Sequence, residues 1–225
     1  MYGRASEATL IEASAHARLA AEAGKSYGIG AIVVTHGEIV CSGPKYAYPY
    51  APDGVHLVTE GYRRLGEKTG QIYFERVVCG HSWQPLMPIS AARDADGIRV
   101  RFHVPFGPLL FYESLPVPHA ESSERRAARG FEVRMHRNAQ SVGIRETCID
   151  GDSLRIICDT FGDGPVDVAY AMTAPTGEPF KWKEDTKEWT GTYRWGCLMD
   201  SDPFVGVETG TSQPNRCVAF EMKIE

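Results

Sequence analysis

Five stretches of alternating apolar and polar residues lie beyond about residue 76, and they constrain the fold more than any other feature of the chain. They are Ile98-Arg99-Val100-Arg101-Phe102-His103-Val104, Phe131-Glu132-Val133-Arg134-Met135, Leu154-Arg155-Ile156-Ile157-Cys158, Val166-Asp167-Val168-Ala169-Tyr170 and Cys217-Val218-Ala219-Phe220-Glu221-Met222. A period of two sends alternate side chains to opposite faces of a strand, so each stretch offers one face to a core and one to water. Turn chemistry separates them at Asp96-Gly97, Asp150-Gly151 and Gly162-Asp163-Gly164-Pro165. The spacing predicts an antiparallel β-sandwich over residues 76–225. Ala120 to Arg129, with its charged cluster, reads as an exposed loop or a short helical turn.

The first 75 residues have a different texture. Glu7 to Ala23 is rich in Ala, Leu and Glu, with Ile11, Ala15 and Leu19 at helical spacing, Ser6 as an N-cap and Gly24 as the glycine that ends the helix. Ala31-Ile32-Val33-Val34 is apolar without alternation, as a strand buried on both faces of a parallel sheet would be. It ends at Thr35-His36-Gly37-Glu38, polar residues at a strand's carboxyl end, where open α/β sheets place their chemistry. A Pro/Tyr-rich loop from Gly43 to Pro52 follows, then a helix over Val58 to Ile72 with Tyr62, Leu65 and Ile72 on its inner side. The expected fold is thus an α/β fragment of a doubly wound sheet over residues 1–75, followed by the sandwich, with β structure dominant overall.

Charge and hydropathy exclude some partners. A net charge of -5 over 225 residues leaves no basic stripe for phosphates, so no nucleic acid is expected. No apolar run approaches the roughly 20 residues of a membrane span. Met1-Tyr2-Gly3-Arg4 opens without a secretory apolar region, which points to the cytoplasm or a virion-like particle rather than classical secretion. The six cysteines (Cys41, Cys79, Cys148, Cys158, Cys197, Cys217) show no CxxC and no zinc-ligand spacing, and read as free, mostly buried thiols. No metal or cofactor is expected from them.

The chemistry centres on Asp53-Gly54-Val55-His56-Leu57, followed by Glu60-Gly61-Tyr62. An Asp and a His three apart at the mouth of a helix can share a pocket, the carboxylate fixing the imidazole's tautomer while the ring acts as a base. The plainer reading has Asp53 capping the helix and His56 as a polar residue of its first turn. The block resembles the closing block of SGNH (GDSL-type) hydrolases, in which the Asp and His complete a Ser-His-Asp triad. The resemblance implies that Asp53 orients and that His56 is general base, then general acid. Ile32-Val33-Val34-Thr35-His36-Gly37-Glu38 is similar to the strand-plus-Gly-Glu block of the carbohydrate-esterase branch, which implies an oxyanion or supporting role for His36, Gly37 and Glu38. Val40 departs from that pattern, standing where relatives carry Asp or Asn. Without the family, His36 and Glu38 read as a buried polar pair holding a loop.

The serine that such a dyad would serve is not evident. The 52 residues before Asp53 lack the Gly-Asp-Ser block, and Ser6, Ser14 and Ser26 qualify by residue type alone. Gly151-Asp152-Ser153-Leu154 spells that block literally, but Asp150-Gly151 marks it as a hairpin corner, not the strand–turn–helix a nucleophile needs. The closing stretches Trp195 to Asp202 and Pro214 to Phe220 resemble the end of a β-rich extension found on some SGNH proteins. Trp182, Trp189 and Trp195 with Tyr193 could stack on sugars or fill a core. Asp200, Ser201 and Asp202 supply too few oxygens for calcium alone and read as a turn.

Two expectations follow. One is the C-terminal portion of an SGNH-type carbohydrate O-deacetylase, whose serine comes from an upstream segment, a partner chain or a homo-oligomer, acting on an acylated carbohydrate. The other is a non-catalytic structural or carbohydrate-binding β-sandwich protein that keeps a hydrolase remnant, as in a phage or extracellular assembly.

Overall fold

Two units divide the chain, Met1–Thr35 and His36–Glu225. The computed structural model describes residues 14–15, 17–25, 43–51, 56–113, 120–172, 181–183, 188–190 and 195–225. In the first unit, residues 17–22 are helical. Their end is a left-handed turn: Gly24 sits at φ 66°, and the Lys25 N–H returns to Ala20 O at 2.8 Å. That is the glycine-terminated close the sequence predicts. Ser6 and the strand expected over Ala31 to Val34 lie outside the described residues.

In the second unit the helix α1 spans Thr59–Tyr73. Gly61, Leu65, Lys68 and Ile72 form its buried stripe, at spacings of four, three and four. Tyr62, expected on the inner side, is 44% exposed because it lies about 100° round the helix from Gly61. Glycine at 61 has a local cause: a Cβ there would stand 2.7 Å from Pro49 O, so the preceding loop can touch the first turn only at a bare Cα. This helix shares its compact unit with all the strands that follow.

The remaining elements, in chain order, are β1 (Met87–Asp94), β2 (Gly97–His103), β3 (Leu110–Phe111), α2 (Ser123–Ala128), β4 (Phe131–Met135), β5 (Ser141–Val142), β6 (Ile144–Asp150), β7 (Ser153–Cys158), β8 (Val166–Tyr170), β9 (Lys181–Lys183), β10 (Glu188–Thr190), β11 (Leu198–Met199) and β12 (Phe220–Ile224). They build two four-stranded sheets, ordered β1-β2-β7-β6 and β12-β8-β4-β5, and two small pairs, β9 with β10 and β3 with β11. Every pairing is antiparallel. Ile98, Val100, Phe102, Leu154 and Ile156 from the first large sheet share one buried cluster with Phe131, Val133, Val166, Val168 and Tyr170 from the second. The protein is therefore β-rich, with antiparallel sheets facing each other in the manner of a sandwich.

The alternating stretches map onto β2, β4, β7 and β8 nearly residue for residue. The fifth strand begins later than its pattern, at Phe220, because Cys217 and Val218 spend their N–H groups on Leu198 O and Leu86 O, both at 3.0 Å. Asp150 pairs with Ser153 across the loop Gly151-Asp152, with Gly151 at φ 65°. Ser153 is thus a strand residue at a hairpin corner, and its hydroxyl donates to Asp152 Oδ1 at 2.9 Å. Asp152 in turn holds Arg101 at 2.9 Å.

Candidate functional site

The loop before α1 decides what the predicted dyad can reach. It is anchored from within, because Tyr46 donates its hydroxyl to Cys217 O and lies 3.4 Å from the Tyr170 hydroxyl. Burial pushes both phenols well above their ordinary pKa. Beyond it, Tyr48 and Leu57 close a small apolar cluster with Leu65 of α1. Tyr50 and Leu57 form a bridge, and the Ala51 N–H donates to His56 O at 2.8 Å. Residues 51 and 56 are therefore drawn together, and His56 is exposed. Asp53, His36, Gly37 and Glu38 lie outside the described residues. The predicted pair is represented by its imidazole alone.

The same helix carries a lysine into the protein interior. Lys68 Nζ donates to Asp202 Oδ2 at 2.7 Å and to Gln213 O at 2.9 Å, and stands 5.5 Å from the Phe204 ring centre. Lys68 and Asp202 are only 3% and 2% exposed at their side chains. Burial lowers the lysine pKa, against the opposing pull of Asp202. Asp200 Oδ1 accepts from the Asp202 and Asn215 N–H groups at 3.1 and 2.8 Å, and its Oδ2 from the Phe106 N–H at 3.1 Å and Asn215 Nδ2 at 2.8 Å. Asp202 Oδ1 accepts from the Phe204 N–H at 3.0 Å. Asp200-Ser201-Asp202 thus makes two successive side-chain turns, and the cation facing its carboxylates is an ammonium from α1. The residue before the lysine, Glu67, accepts from the Glu208 N–H at 2.7 Å, the Thr209 hydroxyl at 2.7 Å and Gln213 Nε2 at 2.8 Å. Desolvation raises the Glu67 pKa, but these hydrogen bonds outweigh it and leave the group below its ordinary value.

Cysteine chemistry is closed at the buried thiols. Burial lifts Cys158 to about 11 and Cys197 to about 12, and raises Cys217 as well, so none offers a thiolate at neutral pH. All five described cysteines are free.

A concave feature able to take a ligand lies beside the turn after β4. An open groove of about 490 Å³ is lined by the turn joining β4 to β5, with Arg137, Asn138 and Gln140, and by the segment after β7, with Asp159 and Phe161. Each wall is fixed by main-chain bonds. The Met135 N–H reaches Gln140 O at 2.8 Å, and the Asp159 N–H reaches Gly143 O at 2.8 Å. Asn138 accepts the Gln140 N–H at 3.1 Å, closing the turn on itself. Arg93 stands 4.8 Å from the Phe161 ring centre and donates to Gly164 O, which holds the aromatic group and the following loop in place. Planar amide, guanidinium and carboxylate groups thus surround apolar surface from Met135, Val142 and Phe161. Sequence reasoning missed this site because its two walls lie about twenty residues apart in the chain and come from different sheets. The available signal was two stretches, His136 to Ser141 and Asp159 to Gly162, each beginning directly after an alternating run.

Of Trp182, Trp189, Trp195 and Tyr193, which could stack on sugars or fill a core, only Trp195 has a described side chain, and it is half-buried. The backbones of Trp182 and Trp189 are directly opposite in the β9–β10 pair, and Tyr193 lies outside the described residues.

No family model matches the chain. No curated protein matches it. Among solved structures it is similar to the N-terminal part of the bacterial S-layer protein SbsC, at 9% identity and a TM-score of 0.35 over 76% of this chain. The chain spans 29% of the length of that structure.

Proposed function

We propose that this chain is a non-catalytic β-sandwich module that binds a polyhydroxylated ligand, a glycan, in the groove between Arg137 and Asp159. The observation that carries this reading is the groove's lining. Side-chain amides, a guanidinium and a carboxylate can each pair two adjacent hydroxyls, while Phe161 and the neighbouring aliphatic groups suit the apolar face of a pyranose ring. Titration calorimetry against a panel of neutral and acidic oligosaccharides tests the proposal. Asp159→Ala and Arg137→Ala each remove an exposed group and are expected to weaken the bound glycan by about tenfold or more, the loss of one charge-assisted hydrogen bond. A panel without a binder, or affinities indifferent to both changes, sinks it.

A second reading rests on Asp53-Gly54-Val55-His56-Leu57 and on the exposed position of His56. Here the chain is the C-terminal portion of an SGNH-type carbohydrate esterase, its α/β part continuing a doubly wound sheet. The His56 ring would take the proton of a serine hydroxyl from an upstream segment or partner chain. The serine oxygen would attack the ester carbonyl, and His56 would return the proton to the departing sugar hydroxyl, with Asp53 holding the ring. Incubation with p-nitrophenyl acetate, alone and with candidate partner chains, checks it. The reading requires turnover that disappears in His56→Ala, and inactivity in every combination rejects it.

A further inference from the structure

Beyond α1 the chain makes a π-type turn over Phe74–Val78. There the Cys79 N–H reaches back to Phe74 O at 2.9 Å. Gly80 follows at φ 73°, a conformation that suits glycine. It reverses the chain, so that the His81 N–H bonds Glu75 O at 2.9 Å. The side chains repeat that closure, with His81 Nδ1 2.7 Å from Glu75 Oε2. As a result the ligand atoms of Glu75, Cys79 and His81 all lie within 4.8 Å of one another. A carboxylate, a thiol and an imidazole are thus gathered at one point by backbone hydrogen bonds and by the contact between the Glu75 and His81 side chains.

We propose that Glu75, Cys79 and His81 form a binding site for a divalent transition metal of the zinc class. The donor set is the argument. Zinc takes sulfur at about 2.3 Å, imidazole nitrogen at about 2.0–2.1 Å and carboxylate oxygen at about 2.0–2.2 Å. Hard cations such as calcium and magnesium want oxygen alone and gain nothing from a thiol. A tetrahedral ion with these bond lengths places its ligands about 3.3–3.6 Å apart, so rotamer adjustments contract the present cluster onto a metal. Binding forms the metal–sulfur bond and releases the thiol proton to solvent, while the ion replaces the contact between the ring and the carboxylate. Because the main chain already sets the three positions, little ordering is left to do on binding. Glu75 is half-buried and the other two are exposed, so the site is open to ions from solution and leaves a fourth position for water or another donor. Cysteine spacing alone could not reveal it, because the set contains one cysteine. This site is separate in residues from the groove and from the Asp53/His56 block.

Cobalt(II) titration of the full chain, followed by zinc competition, tests the site. Cobalt is expected to give a saturable sulfur-to-metal charge-transfer band with one ion per chain, and zinc, the stronger binder, is expected to bleach it. Losing even an outer-shell partner costs metal affinity about 10–100-fold. Losing a ligand in Cys79→Ser or His81→Ala should therefore lower affinity by at least about a hundredfold. The sulfur band should vanish in Cys79→Ser and persist in Cys148→Ser. These positions are exposed or half-buried, and circular dichroism should show each variant folded. A cobalt spectrum that survives Cys79→Ser, or one lost in Cys148→Ser instead, overturns the assignment. So does the lack of any saturable band in the unmodified chain.

Discussion

Replacing Lys68 by methionine is expected to lower the free energy of unfolding by about 3–5 kcal/mol, the usual cost of stripping a buried charge of its partner. Methionine keeps most of the lysine's length and apolar volume, so the loss measures the ammonium rather than a cavity. The charge left behind is Asp202, which is 4% exposed and faces a lysine at 2.7 Å. Gln71 Nε2 at 3.1 Å and Asn215 Nδ2 at 3.3 Å donate to the same carboxylate oxygen, but neither carries a positive charge. The intact pair itself adds little to stability. Burial pulls the lysine pKa down despite its partner, so desolvation exceeds the attraction. Breaking the pair is costly, while having it is nearly neutral.

That asymmetry makes the double change informative. Asp202→Asn alone strips the buried lysine of its hydrogen-bonded counter-charge and leaves it only the through-space attraction of Asp200, yet keeps an oxygen able to accept from the Phe204 N–H. Lys68→Met combined with Asp202→Asn removes both charges, and its loss should fall short of the summed single losses by about 1–3 kcal/mol. Urea unfolding with an unchanged slope provides the measurement. Strict additivity of the two changes would refute the account of this pair as a mutually dependent latch. The same latch fixes α1 to the 200–215 loops.

The β part of this fold was legible where one face of a strand is buried along its whole length. In β2, with Ile98, Val100 and Phe102 buried and Arg99, Arg101 and His103 between and after them less so, the alternation in the sequence is the alternation in space. β1 was not legible. Its pairing with β2 slips between Pro88 and Ser90, and such a bulge switches which residues face inward, leaving Ile89 54% exposed. Helix α1 was readable as a helix from its period, but its buried lysine was not. A Lys at position 68 looks like any solvated residue until Asp202, more than a hundred residues later, is known to meet it. The groove was hidden for the same reason: Arg137 and Asp159 lie in separate loops, and only the sandwich brings them together. Local pattern reports what a segment will become. It is silent on which distant segment will supply a partner.

Gly196→Ala should destabilise the sandwich by about 3 kcal/mol, the upper part of the range for overpacking a filled core. A Cβ at this position would lie 2.2 Å from both Cζ and Oη of Tyr170. The glycine's neighbour on the other side is also bare backbone, since Gly130 packs so closely that its own Cβ would meet the Gly196 Cα at 2.7 Å. Tyr170 cannot retreat. It is fully buried, with the Phe131 ring at 4.6 Å and the Phe220 ring at 5.8 Å between centroids, and its hydroxyl accepts the Leu198 N–H at 2.8 Å. Moving the ring by the ångström or more that a methyl demands would break that hydrogen bond and disturb the loop held by Tyr46. Tyr170→Phe isolates one part of the cost: it leaves the Leu198 N–H buried and unpaired, worth about 1–3 kcal/mol, without overpacking. Made together with Tyr170→Phe, the Gly196→Ala change has lost one of its three contacts under 3.0 Å and should cost less than in the unmodified chain, a coupling that urea unfolding can read. If Gly196→Ala instead shifted stability by less than about 0.5 kcal/mol, as most surface substitutions do, the close packing of glycine on tyrosine at the centre of this core would be wrong.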